Sequence, residues 1–241
     1  MATLENKTIL ITGAAAGIGL ATAKLAVERG ASVIIADIDT AAGEKSAAEL
    51  GATFLHVNMA DESSVRKMFA EAEQKFGRLD ALINAAGILK GAHVPLEEFD
   101  LATWQSIINI NLTGSFLCAK YAAPLIRKAG GGVIVLVSSL AAVLGSSSYA
   151  YGASKGGVNG LALTLERNLA RDNIRVNVLM PGNIDTDMKR GVIAAEAKQR
   201  GESVEAAVAA SHLVSPNSVA KILAWLVSDE ADYVRGAIST R

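Results

Sequence analysis

A single cysteine, Cys118, stands in the 241 residues, so no internal disulfide framework can form and a reducing, cytoplasmic setting is expected. Aromatic residues make up only 5%; with alanine and glycine abundant, this suits tightly packed helices on a sheet better than a β-sandwich. Neither sign of charge dominates. Lysine and arginine total 23 against 24 acidic residues, with no basic block, and the electrostatic footprint of a nucleic-acid binder is missing. The apolar runs are short and broken by Gly and Ser, too short to span a bilayer. Met1 to Lys7 carries Glu5 and polar residues rather than the apolar core of a signal peptide. His56, His93 and His212 stand singly, so no stretch has metal-ligand spacing and no metal is expected.

What is present is a length suited to one large α/β domain, with no linker signal dividing residues 1–241. Short β-branched or apolar runs alternate with longer amphipathic stretches, the pattern of repeated βαβ units. Strands are expected at Thr8–Thr12, Ser32–Asp37, Thr53–Val57, Leu79–Asn84, Val133–Ser138, Ile174–Leu179 and Ala237–Thr240. Helices are expected near 17–29, 40–50, 61–76, 101–128, 150–171 and 216–228, with Asp61 and Ser215 as N-caps and Gly30 and Gly77 as stops. Near-continuous apolar strands such as Val133–Val137 imply burial on both faces. The fold class is therefore α/β, a Rossmann-like, doubly wound, seven-stranded parallel sheet with helices on both faces. The alanine-rich stretch 187–213 lacks a strand of its own and reads as an inserted lid.

Directly after the first strand comes Thr12, Gly13, Ala14, Ala15, Ala16, Gly17, Ile18, Gly19. Glycines at a strand-to-helix turn let the backbone bend sharply and approach a pyrophosphate, whose charge a helix N-terminus favours. Asp37 closes the second strand, where a carboxylate can accept hydrogen bonds from the adenosine ribose hydroxyls and would repel a 2′-phosphate. With no cation in the turn, NAD is expected over NADP. Tyr151 and Lys155 lie four apart, on one face if helical, so the ammonium is expected beside the phenol. A free tyrosine titrates near ~10; a fixed cation draws that value down and makes the pair a candidate acid/base device.

In this order, the motifs make the chain resemble the short-chain dehydrogenase/reductase family over nearly its whole length. They are the glycine turn, Asn84-Ala85-Ala86-Gly87, Asn111 in Asn-Leu-Thr-Gly, the Ser138–Ser139 pair, Tyr151 with Lys155, and Pro181-Gly182. The resemblance implies an oxidoreductase acting on a secondary alcohol or ketone with NAD(H). Tyr151 would be its general acid/base and Lys155 would hold the nicotinamide ribose. Asn111 would hold a water linking Lys155 to solvent, and a serine would bind the substrate oxygen. It further implies cofactor contacts from Gly13, Ala16, Gly17, Ile18, Gly19, Asp37, Ile38, Asn58, Met59, Asn84 to Gly87, Pro181, Gly182, Ile184 and Thr186.

The chain departs from the family pattern in three places. The family spacing, thirteen residues before the tyrosine, lands on Ser138, whereas anchoring on the strand favours Ser139, which is expected because loops absorb deletions more easily. Asn58 stands where an aspartate is common, and its amide can still bond the adenine amine. The sequence given stops at Gly236 to Arg241 without the family's Val-Asp-Gly-Gly run, which bears on the last strand and on subunit contacts.

Small or apolar residues on several faces of the two long helices, Ala119, Ala122, Ala123, Leu161, Leu165 and Leu169, suggest a homo-oligomer, dimer or tetramer. The substrate end, near Ala141–Ser148, Leu89, His93 and the lid with Val192 and Ile193, favours an uncharged, fairly apolar molecule, although Lys189, Arg190 and His93 could hold an acid. Two other readings remain: a nucleotide-sugar epimerase, disfavoured by the glycine spacing and short C-terminal region, and a non-catalytic dinucleotide sensor.

Overall fold

The computed structural model describes residues 3–240. Seven strands form one parallel sheet: β1 Thr8–Thr12, β2 Ser32–Asp37, β3 Thr53–His56, β4 Ala81–Asn84, β5 Gly132–Val137, β6 Ile174–Met180 and β7 Gly236–Ser239. Their spatial order is β3-β2-β1-β4-β5-β6-β7. The chain thus winds outward from β1 to β3, then returns to lay β4 on the other side of β1. That reversal opens a crevice beyond the carboxyl ends of β1 and β4, where Thr12 and Asn84 are in register, and ligands bind such sheets there.

Alternation along each strand builds two apolar layers. Leu10, Ile34, Leu82 and Ile134 face α3 (Glu62–Phe76), α5 (Gly114–Lys128) and α7 (Tyr149–Leu169). Ile9, Ile11, Val33, Ile35 and Val135 face α1 (Gly17–Glu28), α2 (Thr40–Leu50) and α10 (Pro216–Leu226). Asp61 and Ser215 cap α3 and α10 with their side chains, and Gly77 ends α3 at φ +73°. β7 pairs with β6 from Asn177–Gly236 to Met180–Ser239.

Two expectations need correction. The helix expected over 101–128 is α4 (Leu101–Ile108) and α5 joined by a π-turn at Asn109–Thr113. Such a turn holds one residue more than an α-turn, and the Ser115 hydroxyl donates to the Asn111 carbonyl across it at 2.5 Å. The residues expected to reach a second subunit pack within the chain: Ala119, Ala122, Ala123 and Leu169 are buried in its own core, and Leu161 and Leu165 pack against it. Phe116 on α5, and Leu163 and Tyr149 on α7, are the exposed large apolar side chains of these two helices.

The lid is two helices, α8 (Asp187–Arg200) and α9 (Val204–Ala210), turning at Gly201 with φ +67°. Its ends are stitched together: Val214 N–H donates to Asn183 O at 2.9 Å and Asp185 N–H to Val214 O at 2.8 Å. No helix among the described residues is long and apolar enough to cross a membrane.

Candidate active site

A cleft of about 1140 Å³ lies over the β1–β4 crevice and runs from the glycine turn, past the end of β5, to the lid. At one end, α1 differs from the helices that carry a side-chain cap: Ala16 precedes it with no cap, and its first turn holds no acid. Its leading N–H groups are left for a ligand. The glycines are sterically required. A Cβ on Gly19 would sit 2.1 Å from the Gly13 carbonyl oxygen, and one on Gly13 (φ +65°) 2.7 Å from Ala86 backbone. Gly17, at φ +55°, faces the Thr186 methyl.

Asp37 does more than line this end. Its carboxylate accepts from Ala15 N–H at 3.0 Å and from Asp39 N–H at 3.1 Å, bracing the glycine turn from β2. A short, uncapped turn of bare backbone, an α-helix N-terminus and a strand-end carboxylate fit a dinucleotide's pyrophosphate and ribose. Ile38, Asn58 and Met59 line the same end, with Ala85, Ala86 and Gly87 across from them. The Asn58 amide oxygen is engaged locally, accepting from Ala60 N–H.

Asn84 and Asn111 are fully enclosed and form no part of the cleft wall. Thr12 Oγ1 donates to Asn84 Oδ1 at 2.7 Å, Asn84 Nδ2 to Ser115 Oγ at 2.8 Å, and Ser115 continues to the Asn111 carbonyl. The Asn111 amide clamps Ile88 on both backbone groups, at 2.8 and 2.9 Å, and reaches Ser154 Oγ at 3.1 Å. This buried polar chain fixes the backbone after β4 from behind. Nothing in the sequence pattern marks Thr12, Ser115 or Ser154 for it; only their buried positions beside the two asparagines reveal it.

At the end of β5 the two serines part. Ser138 is buried and donates to the Lys155 carbonyl at 2.9 Å, tying β5 to α7. Ser139 caps the next turn through Ala141 N–H and its hydroxyl lies beside the Tyr151 phenol. Ser148, by accepting from Tyr151 N–H, starts α7 so that Tyr151 and Lys155 fall on consecutive turns of one face.

The ammonium lies beside the Tyr151 ring, on the face that helical spacing predicts, and no hydrogen bond joins the two side chains. Lys155 Nζ is 5.8 Å from the Tyr151 ring centroid and donates to the Val137 carbonyl at 2.8 Å. Burial dominates both groups. It raises the tyrosine pKa, with Ser139 drawing it partly back, and lowers that of Lys155 to about 8. A Cβ on Gly87 would lie 3.3 Å from both Lys155 Nζ and Asn111 Oδ1, so glycine keeps that approach open. Pro181, Gly182, Ile184 and Thr186 close the wall above Tyr151, and Thr186 caps α8.

The chain resembles known proteins over nearly its whole length. A family model described as enoyl-(acyl carrier protein) reductase matches residues 13–240. The chain is 39% identical to cis-4-hydroxycyclohexanecarboxylate dehydrogenase of Sinomonas cyclohexanicum, covering 97% of this chain and 94% of that one. It is 36% identical to the 3-oxoacyl-(acyl-carrier-protein) reductase FabG of Thermotoga maritima, covering 98% and 96%. The crystal structure of gox2181 superposes with a TM-score of 0.89 at 29% identity, covering 98% and 94%. Fold, motif order and full-length relatives coincide, and the chain belongs to the short-chain dehydrogenase/reductase family of oxidoreductases.

Proposed function

We propose that the protein interconverts a secondary alcohol and its ketone with NAD(H), using Tyr151 as general acid/base. The observation that carries this reading is the convergence of Ser139, Tyr151 and Lys155 on one wall of the cleft whose far end is the glycine turn. The dinucleotide, when bound, supplies nicotinamide C4 as the hydride donor or acceptor. The α1 N-terminus and glycine turn take its pyrophosphate, and the free lone pairs of Asp37 take ribose hydroxyls. Thr186 offers its hydroxyl to the carboxamide. Tyr151 passes its proton to the carbonyl oxygen as that oxygen becomes an alcohol, and Ser139 donates to the same oxygen while negative charge grows there. Asn111 acts here as a positioning residue, through Ile88 and Ser154. Exposed Phe116 and Leu163 support assembly into a homo-oligomer, a dimer or tetramer, and the free, buried Cys118 suits a reducing cytoplasm.

A panel of alcohols and ketones, followed by NADH absorbance and repeated with NADP(H), tests the reading. At least tenfold higher kcat/KM with NAD(H) is expected, because Asp37 would have to lie beside a 2′-phosphate. Proven NADH binding without oxidation by any ketone would reject catalysis; NADP(H) preference would reject the role of Asp37. The two serines give a second test. Ser139→Ala should lower kcat by about 10²-fold through loss of one donor to the developing oxyanion. Ser138→Ala should lower kcat less than tenfold while costing about 1 kcal/mol of stability for the lost bond to Lys155. The reverse pattern would move the substrate contact to Ser138.

A further inference from the structure

We infer that the substrate carries one carboxylate on a compact apolar body and that Lys189 reads this charge; the inference rests on the oxidoreductase reading above. Beyond Tyr151 the cleft is walled by Leu89, Ala92, Leu140, Leu144, Met188 and Val192. Leu144 and Met188 still expose 71% and 40% of their surface, so this end has apolar area for a substrate to cover.

Among the described residues, two lysines and no arginine line the cleft. Lys155 is buried and committed to Val137. Lys189, half-buried on the first turn of α8, has a side chain with no ion pair or hydrogen bond among the described residues. The sequence offered Arg190 as an equal candidate, but Asp185 holds it in a two-pronged pair, Nε to Oδ1 at 2.5 Å and Nη2 to Oδ2 at 2.8 Å. That pairing lowers the Asp185 pKa and raises that of Arg190.

The acids on this stretch of wall are occupied or otherwise favoured. Glu196 pairs with Arg200, and Asp187 lies in the first turn of α8, where the helix N-terminus stabilises it. Among the described residues, Lys189 is therefore the one ammonium lining the cleft without a partner, and Leu144, Met188 and Val192 line the same cleft, whose apolar surface strengthens attraction for an anion. His93 and His212 also line the cleft and offer ring N–H donors for a carboxylate. A single free cation matches a monoanion. A nucleotide sugar or other polyphosphate would need several. An uncharged substrate would cover the ammonium with apolar surface and leave it without a partner, at a cost. This replaces the uncharged substrate favoured from the sequence.

The test uses the enzyme loaded with NADH and a series of alicyclic and short aliphatic acids, beginning with cyclohexanecarboxylate, each against its carboxamide. Calorimetry should give at least about tenfold tighter binding for the best acid than for its amide, as expected of a charge-assisted contact. Lys189→Gln should bring the two within about threefold, and Lys189→Arg should keep most of the preference. If no acid outbinds its amide, or if Lys189→Gln preserves the ratio, the inference is overturned. Because binding is read directly, that failure is distinct from loss of the proposed reaction, which shows instead as bound NADH that no ketone oxidises.

Discussion

Tyr151→Phe should lower ketone reduction by about 10³-fold in kcat, with NADH affinity within about threefold of wild type. The substitution keeps the ring on the face of α7 and removes only the proton that the carbonyl oxygen needs. The pH dependence follows from the direction of the tyrosine shift. Burial raises its pKa, so the phenol stays protonated through neutrality, the form that donates. Reduction should therefore be level across neutral pH and fall at alkaline pH, whereas initial-rate kcat/KM for alcohol oxidation should rise as pH climbs toward phenolate formation. In Tyr151→Phe the residual rate should lose both dependences. Stopped-flow and steady-state NADH absorbance would measure this; a variant within tenfold of wild type would assign the proton to another group.

The parts legible in the sequence are those written as local period and local sterics. β1 and β2 end where their apolar runs give way to polar residues, at Thr12 and Asp37, because strands buried on both faces are filled chiefly by apolar side chains. The glycine turn was equally readable, since Gly13 and Gly19 answer to backbone contacts within a few residues or across one strand pair. Illegible parts depend on distance in sequence or on a one-residue change of phase. The π-turn at Asn109–Thr113 leaves the apolar pattern of the helix continuous, yet turns Asn111 inward onto Ile88. The chain from Thr12 through Asn84 to Ser115 joins three separate elements. Helical spacing set Lys155 on the right face but could not reveal that its ammonium bends to the Val137 carbonyl on β5. Likewise, apolar residues on several faces of α5 and α7 could not show that α3 and the sheet already cover Ala119, Ala122 and Leu169.

Lys155→Met should separate activity from stability more sharply than any other change. The ammonium is enclosed with one carbonyl partner and no carboxylate, so its pKa falls to about 8 from 10.5 by desolvation. A lysine with a depressed folded pKa works against folding wherever both states carry the proton, below about pH 8. As pH rises from there toward 10.5 the folded state sheds its charge first and that penalty disappears. Methionine fills the same volume without charge. It forfeits the bond to Val137, worth about 1–3 kcal/mol, against a burial penalty of similar or larger size. The variant's Tm at pH 7 should be no lower than wild type, and its advantage should shrink between pH 8 and pH 10. Activity should move the other way, with kcat down about 10³-fold and NADH binding weakened, because the ribose and the phenolate both lose their cation. Scanning calorimetry at the two pH values beside turnover measures both. A variant that is inactive and much less stable at pH 7 would make Lys155 a prop of the fold; one that stays active would remove it from the chemistry. A stable, inactive protein is the outcome expected of a charge that the fold tolerates for the sake of the reaction.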